Sequence, residues 1–231
     1  MTGSIYGPYA RLVRAVARFL LRGWTVTTEE TPPAAAVFVA RHQNLAGPIL
    51  SAALLPREVR IWVLPVFFSR RECFAHYYHF TFTCRFHWPR PLAFCTAGLL
   101  SLVIPPLIAS LNAIPVYRGS TRVAETLKAS AKALAAGESV LICPDQDYTS
   151  TAGETGALYR GFLHLERQSV RSGGGHVPFV PLCCAASAHR FVVGCALLFP
   201  GNAPFKAEQS QVALALAQAL DRMGAAYREP E

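Results

Sequence analysis

The run Val37-Phe38-Val39, followed by His42 and then Gly47-Pro48, constrains this chain more than any other feature. Three β-branched or aromatic residues in succession pack well on a pleated surface, so the run predicts a short buried strand. Gly47-Pro48 predicts a break in the backbone before the next apolar segment, 49–55. A histidine just past a buried strand stands where α/β folds place their chemistry, in the crevice outside the strand ends. Alone, it reads as a loop histidine hydrogen-bonded to backbone. Its company further along the chain is what gives it a chemical role.

That company is a series of similar runs alternating with helical patterns. Short strands are predicted at 24–28, 60–68, 113–117, 139–143, 177–186 and 191–198. A helix fits 121–136, with Gly137 as its stop, and a closing helix fits 207–227, with Val212, Leu216, Leu220, Met223 and Tyr227 on one face. Residues 149–157 and 171–175 read as loops. Strands alternating with helices predict an α/β fold: a single domain with a central, mostly parallel sheet flanked by helices. Three of the predicted strand ends carry chemistry-bearing residues, namely His42, Arg118 and the pair Asp145 and Asp147.

The N-terminal segment 9–22 is predicted to be an amphipathic helix. Arg11, Arg14, Arg18 and Arg22 fall on one side; Leu12, Val13, Val16, Phe19 and Leu20 fall on the other. Such a helix fits either an anionic membrane surface, met through its arginines, or its own domain. The boundary drawn is 1–23 for this helix and 24–231 for the α/β domain. Between Arg90 and Arg118 there is no charged residue, a length sufficient to cross a bilayer. Pro105-Pro106 interrupts it, and an interior proline costs a helix about 3 kcal/mol. The stretch is therefore read as a helix, a break and an approach to a strand, buried or dipping into a membrane interface.

Composition narrows the partners. With 231 residues, 52% of them hydrophobic, 16% charged and a net charge of +8, the chain can bury a large core and favours an anionic partner. Residues 73–90 interleave aromatics with Arg85 and Arg90, but no nucleic-acid-binding module is present, and lipid-facing or core packing is the reading preferred. The cysteines, seven in number and without a CxxC pair, read as reduced core cysteines of a cytoplasmic protein. Cys73, His76, His79, Cys84 and His87 match no standard metal-ligand spacing, so no metal is expected. The arginines in the first apolar segment argue against a signal peptide.

Taken in order, four blocks resemble the lysophospholipid (1-acylglycerol-3-phosphate) acyltransferase family, the glycerolipid enzymes with a histidine-x4-aspartate motif. Val-Ala-Arg-His-Gln-Asn at 39–44 stands at the family's histidine block, and Ala-Ile-Pro-Val-Tyr-Arg-Gly-Ser at 113–120 at its phosphate-binding block. Val-Leu-Ile-Cys-Pro-Asp-Gln-Asp at 140–147 replaces the Phe-Pro-Glu-Gly-Thr block, and Val-Pro-Phe-Val-Pro-Leu at 177–182 matches the apolar fourth block. This chain departs from the pattern at several positions. The motif aspartate is Gly47, the asparagine before the histidine is Arg41, the glutamate is shortened to Asp145, and the glycine after it is Gln146.

The resemblance implies a peripheral or monotopic acyltransferase on the cytoplasmic side of the cell membrane. It would move a fatty acyl group from acyl-CoA or acyl carrier protein to a lysophospholipid, without a further cofactor. His42 is implied as general base and Arg118 as the phosphate clamp. Gly119, Asn44, Asp145 and Asp147 are implied at the substrate, with the Asp145–Asp147 loop standing in for the missing aspartate. The alternative it leaves open is a catalytically impaired relative that binds lipid or acyl chains without transfer.

Overall fold

In the computed structural model, which describes residues 4–43, 45–145 and 158–226, the chain winds around one seven-stranded sheet. The elements in order are α1 (Pro8–Leu20), β1 (Thr25–Thr28), β2 (Val37–Ala40), α2 (Ala46–Leu54), β3 (Val59–Val63) and α3 (Arg70–Ala75). A π-helical segment (His76–Arg85) leads to α4 (Arg90–Ser110) and β4 (Ile114–Pro115). Then come α5 (Val123–Ala135), β5 (Ser139–Ile142), α6 (His164–Arg171), β6 (Phe179–Ala185), β7 (Arg190–Val193) and α7 (Phe205–Ala225). The strand order is β1-β7-β6-β2-β5-β3-β4, and every neighbouring pair is parallel except β6–β7. This is the predicted single-domain α/β architecture.

β2 lies at the centre, between β5 and β6, and all four of its residues are buried. Successive side chains enter opposite layers. Val37 and Val39 join one core with Phe162, Phe179, Leu165, Leu216 and Leu220, whereas Phe38 and Ala40 join the other with Leu50, Leu54, Val180 and Phe191. Both faces of a parallel sheet are covered, so the strand is apolar throughout and shows no polar alternation. Each large side chain so buried contributes about 1.5–3 kcal/mol.

Several local expectations are corrected. Gly47-Pro48 does not break the chain but sits in the first turn of α2, where a proline's missing N–H costs nothing. β4 shrinks to two residues, and β3 ends at Val63, with a 3-10 turn over Pro65–Phe68. α4 runs unbroken through Pro105 and Pro106. Its inward stripe of Ala93, Ala97, Ser101 and Pro105 packs against the body. Its last residue is held from outside, because Ser110 accepts the Gly7 N–H on its carbonyl and the Ala10 N–H on its hydroxyl. Tertiary packing overrides the proline penalty. The cysteines also divide: Cys73, Cys183 and Cys184 are buried, but Cys84, Cys95 and Cys195 are exposed.

α1 is docked the unexpected way round. Its arginine side faces the protein: Arg14 donates to the carbonyls of Leu55 and Arg57, and Arg18 to those of Ala53 and Leu55. These carbonyls belong to the C-terminal end of α2 and the residues just after it, where cations are favoured. The apolar side, Leu12, Val16, Phe19 and Leu20, is exposed.

Candidate functional site

The parallel pairing of β2 with β5 brings their C-terminal ends side by side, and with them His42 and Asp145. The Asp145 carboxylate accepts the backbone N–H of His42 through Oδ2. The His42 side chain is half-buried and its Nδ1 is shielded from solvent. The turn that carries it is tight. Gln43 has φ +46°, the Leu45 and Ala46 N–H groups both donate to the Gln43 carbonyl, and Gly47 N–H donates to the His42 carbonyl at 3.1 Å. Gly47 is required here for space, not for backbone freedom, because the Arg41 carbonyl occupies the position that a Cβ would take.

Burial raises the pKa of Asp145, opposed by the His42 N–H and by the positive charges of Arg41 and His42. Burial also pushes the neighbouring thiols up, Cys184 to about 12 and Cys143 well above the ordinary thiol value. At neutral pH they stay protonated and are not nucleophiles. Among the described residues, His42 and Asp145 are the candidates at this strand end to exchange or hold a proton.

Arg118 reaches the same place from β4. Its Nη2 donates to the Cys143 carbonyl at 3.2 Å, and its guanidinium lies over the Tyr159 ring, 5.3 Å from the centroid. Tyr159 is itself tied to the β5 end, its N–H donating to the Pro144 carbonyl at 2.7 Å. The Arg118 side chain is otherwise open to solvent, so a planar donor fork stands at the end of β5, against the Cys143 carbonyl two residues before Asp145. The loop leading to it is fixed by Thr126 on α5, a buried hydroxyl that donates to the Pro115 carbonyl and accepts the Tyr117 N–H. Gly119 follows in an exposed left-handed turn, φ +67°.

Of the residues expected at the site, Asp145 meets the His42 backbone, Arg118 meets the Cys143 carbonyl two residues before Asp145, and Gly119 adjoins Arg118. Asn44 and Asp147 lie outside the described residues. Tyr159 and Thr126 were not foreseen; each acts through a tertiary contact that leaves no local pattern in the sequence. Among the described residues no three His, Cys, Asp or Glu side chains come together to hold a metal ion. A shallow apolar pocket lined by Pro181, Leu197, Ala219 and Arg222 lies against α7, and none of these site residues lines it.

No family model matches the chain, and no curated protein matches it by sequence. Solved structures do. The 1-acyl-sn-glycerophosphate (LPA) acyltransferase PlsC from Thermotoga maritima superposes with a TM-score of 0.54 at 11% identity. The match covers 93% of this chain and 79% of that one. At that identity the likeness is one of fold, and the fold of this chain is that of the PlsC acyltransferase.

Proposed function

We propose that this chain is an acyltransferase that moves a fatty acyl group from a thioester donor to a lysophospholipid such as 1-acylglycerol 3-phosphate. The observation that carries the reading is that His42, Asp145 and Arg118 follow the C-terminal ends of β2, β5 and β4 in one sheet, with Asp145 accepting the His42 N–H and Arg118 donating to the Cys143 carbonyl. His42 takes the proton of the acceptor hydroxyl as its oxygen attacks the thioester carbonyl. The carbon–sulfur bond then breaks, and the imidazolium returns the proton to the departing thiolate, leaving an ester and a free thiol. A positioned general base contributes about 10²–10⁴ in rate. The Asp145 charge stabilises the imidazolium, and Arg118 clamps the acceptor phosphate in a bidentate geometry. The donor is acyl-CoA or acyl carrier protein, and no further cofactor enters. The acceptor is met at an anionic membrane surface, on the cytoplasmic side of the cell membrane.

One observation favours a second reading. Gly47 has no room for the carboxylate that the resemblance places there, so lipid or acyl-chain binding without transfer is the alternative. Incubation with a radiolabelled acyl donor and lysophosphatidate separates the two. Labelled phosphatidate that falls by about 10²–10⁴ in His42→Ala supports transfer. Saturable lipid binding with no labelled product, in wild type and His42→Ala alike, supports the alternative.

A further inference from the structure

α4 is built inside out. Its inward positions are small, Ala93, Ala97, Ser101 and Pro105, whereas its outward positions are large and apolar. Leu92, Phe94, Leu99, Leu102 and Val103 are all exposed, Leu99 by 62%. A surface helix of a soluble domain normally shows water its polar face, and α4 has no charged residue after Arg90. α1 repeats the inversion beside it, with Arg14 and Arg18 bonded to the body and Phe19 exposed by 65%. The two helices touch: Gly7, just before α1, bonds to Ser110 at the end of α4. An uncovered apolar surface of this kind marks a partner or a membrane.

The charges around the two helices decide between those occupants. Arg11, Arg22, Arg70, Arg71, Arg85 and Arg90 are exposed. Glu72 is the sole acid in segments 4–28 and 64–117. A second copy of the chain would bring the same cations against these, and like charges repel. An anionic headgroup layer over an apolar interior complements both features at once. Exposed aromatics in the adjoining segment, Phe80 and Phe86, add rings of the kind found at membrane–water boundaries.

α4 is long and apolar enough to cross a bilayer. Its packing argues that it lies flat instead. Its inner stripe is covered by α3 and the π-helical segment, so a spanning α4 would carry Arg70, Arg71 and Glu72 with it into the hydrocarbon. Its C-terminus leads within a few residues into β4 of the central sheet.

We infer that the outer faces of α4 and α1 form one docking surface that inserts into a single leaflet of an anionic membrane. The side chains of Leu99, Leu102, Val103 and Phe19 enter the acyl region, and the arginines meet the headgroups. This deepens the membrane association proposed above and takes from it only the bilayer as partner. Binding is measured without substrate, so it fails or stands apart from the transfer chemistry.

The test is co-sedimentation of the full chain with vesicles of phosphatidylcholine containing phosphatidylglycerol. Leu99→Glu with Leu102→Glu is expected to weaken binding by about tenfold or more while the thermal melt is unchanged, because both side chains are exposed. Leu102→Trp is expected to be quenched by brominated acyl chains beyond the level of wild type. Equal binding by the folded double variant, or quenching no greater than wild type, overturns the inference while leaving membrane binding by another face intact. A wild type that binds no vesicle overturns both. A dimer seen by sedimentation velocity and lost in Leu99→Glu would assign the face to a second copy and overturn it equally.

Discussion

The carbonyl oxygen of Arg41 fills the space that a Cβ on residue 47 would need. The histidine loop closes on itself there, with Gly47 N–H donating to the His42 carbonyl. Introducing the motif aspartate by Gly47→Asp is expected to damage the fold, because any Cβ forces the turn open. Gly47→Ala carries the same clash without a charge and is expected to cost about 1–3 kcal/mol, the range for overpacking a close-packed site. Urea denaturation of the two variants checks this. A Gly47→Asp protein as stable and active as wild type would show that the loop yields.

Asp145 is expected to trade stability for function. Its folded pKa is raised by burial, so between the unfolded value, near 3.8, and the raised folded value the native state binds more protons than the unfolded state. Stability then falls as pH rises through that window, and the ionised carboxylate is a net cost above it. Asp145→Asn keeps an oxygen to accept the His42 N–H and removes the buried charge. The variant is expected to match or exceed wild type in Tm at pH 7 and to lose that advantage below about pH 4, where Asp145 is neutral in both states. Its transfer rate is expected to fall, because the imidazolium loses its counter-charge. Melting curves across pH, set beside turnover at pH 7, read both effects.

What the sequence revealed and what it hid follow a physical line. Val37-Phe38-Val39 and the run ending at Cys143 announced β2 and β5 because strands buried on both faces are apolar throughout. The pairing of those strands then placed His42 beside Asp145. The direction in which α1 docks was hidden, since periodicity divides a helix into faces without saying which one meets the body. Arg14 and Arg18 found carbonyl partners at and just beyond the end of α2, which no local pattern records. The continuity of α4 was hidden for the same reason: propensity at Pro105-Pro106 is local, and the packing that overrides it is not. Tyr159 became visible only where the chain folded it under Arg118.

The inward arginines of α1 make a stability prediction of their own. Desolvation lowers the pKa of Arg14, with Arg18 adding repulsion, yet its guanidinium remains charged and bonded to Leu55 and Arg57 carbonyls. Hydrogen bonds to a charged group contribute about 1.5–3 kcal/mol, so Arg14→Ala is expected to lower the urea midpoint measurably. Arg11→Ala, at an exposed position on the same helix, is expected to stay within about 0.5 kcal/mol of wild type. Equal losses in the two variants would mean that α1 is held by its helix contacts and not by these bonds.

The sharpest functional prediction concerns Arg118. Its guanidinium is anchored on one side by the Cys143 carbonyl and backed by the Tyr159 ring, and among the described residues its remaining N–H groups face no other acceptor and can meet an anion. If the anion is the acceptor phosphate, Arg118→Ala removes a charge-assisted contact of about 1.5–3 kcal/mol, which is about 10–100-fold in the KM of a phosphate-bearing acceptor. The KM of the acyl donor is expected to move far less. Arg118→Lys keeps the charge but loses the planar fork, so it is expected to recover only part of the loss. Tyr159→Leu removes the ring that supports the guanidinium and is expected to raise the acceptor KM in the same direction by a smaller factor, with the acyl donor again little affected. Steady-state kinetics with each substrate varied in turn gives all three comparisons. Equal rises for donor and acceptor in Arg118→Ala, or full recovery by lysine, would assign Arg118 to holding the β4 and β5 ends together instead of to the phosphate.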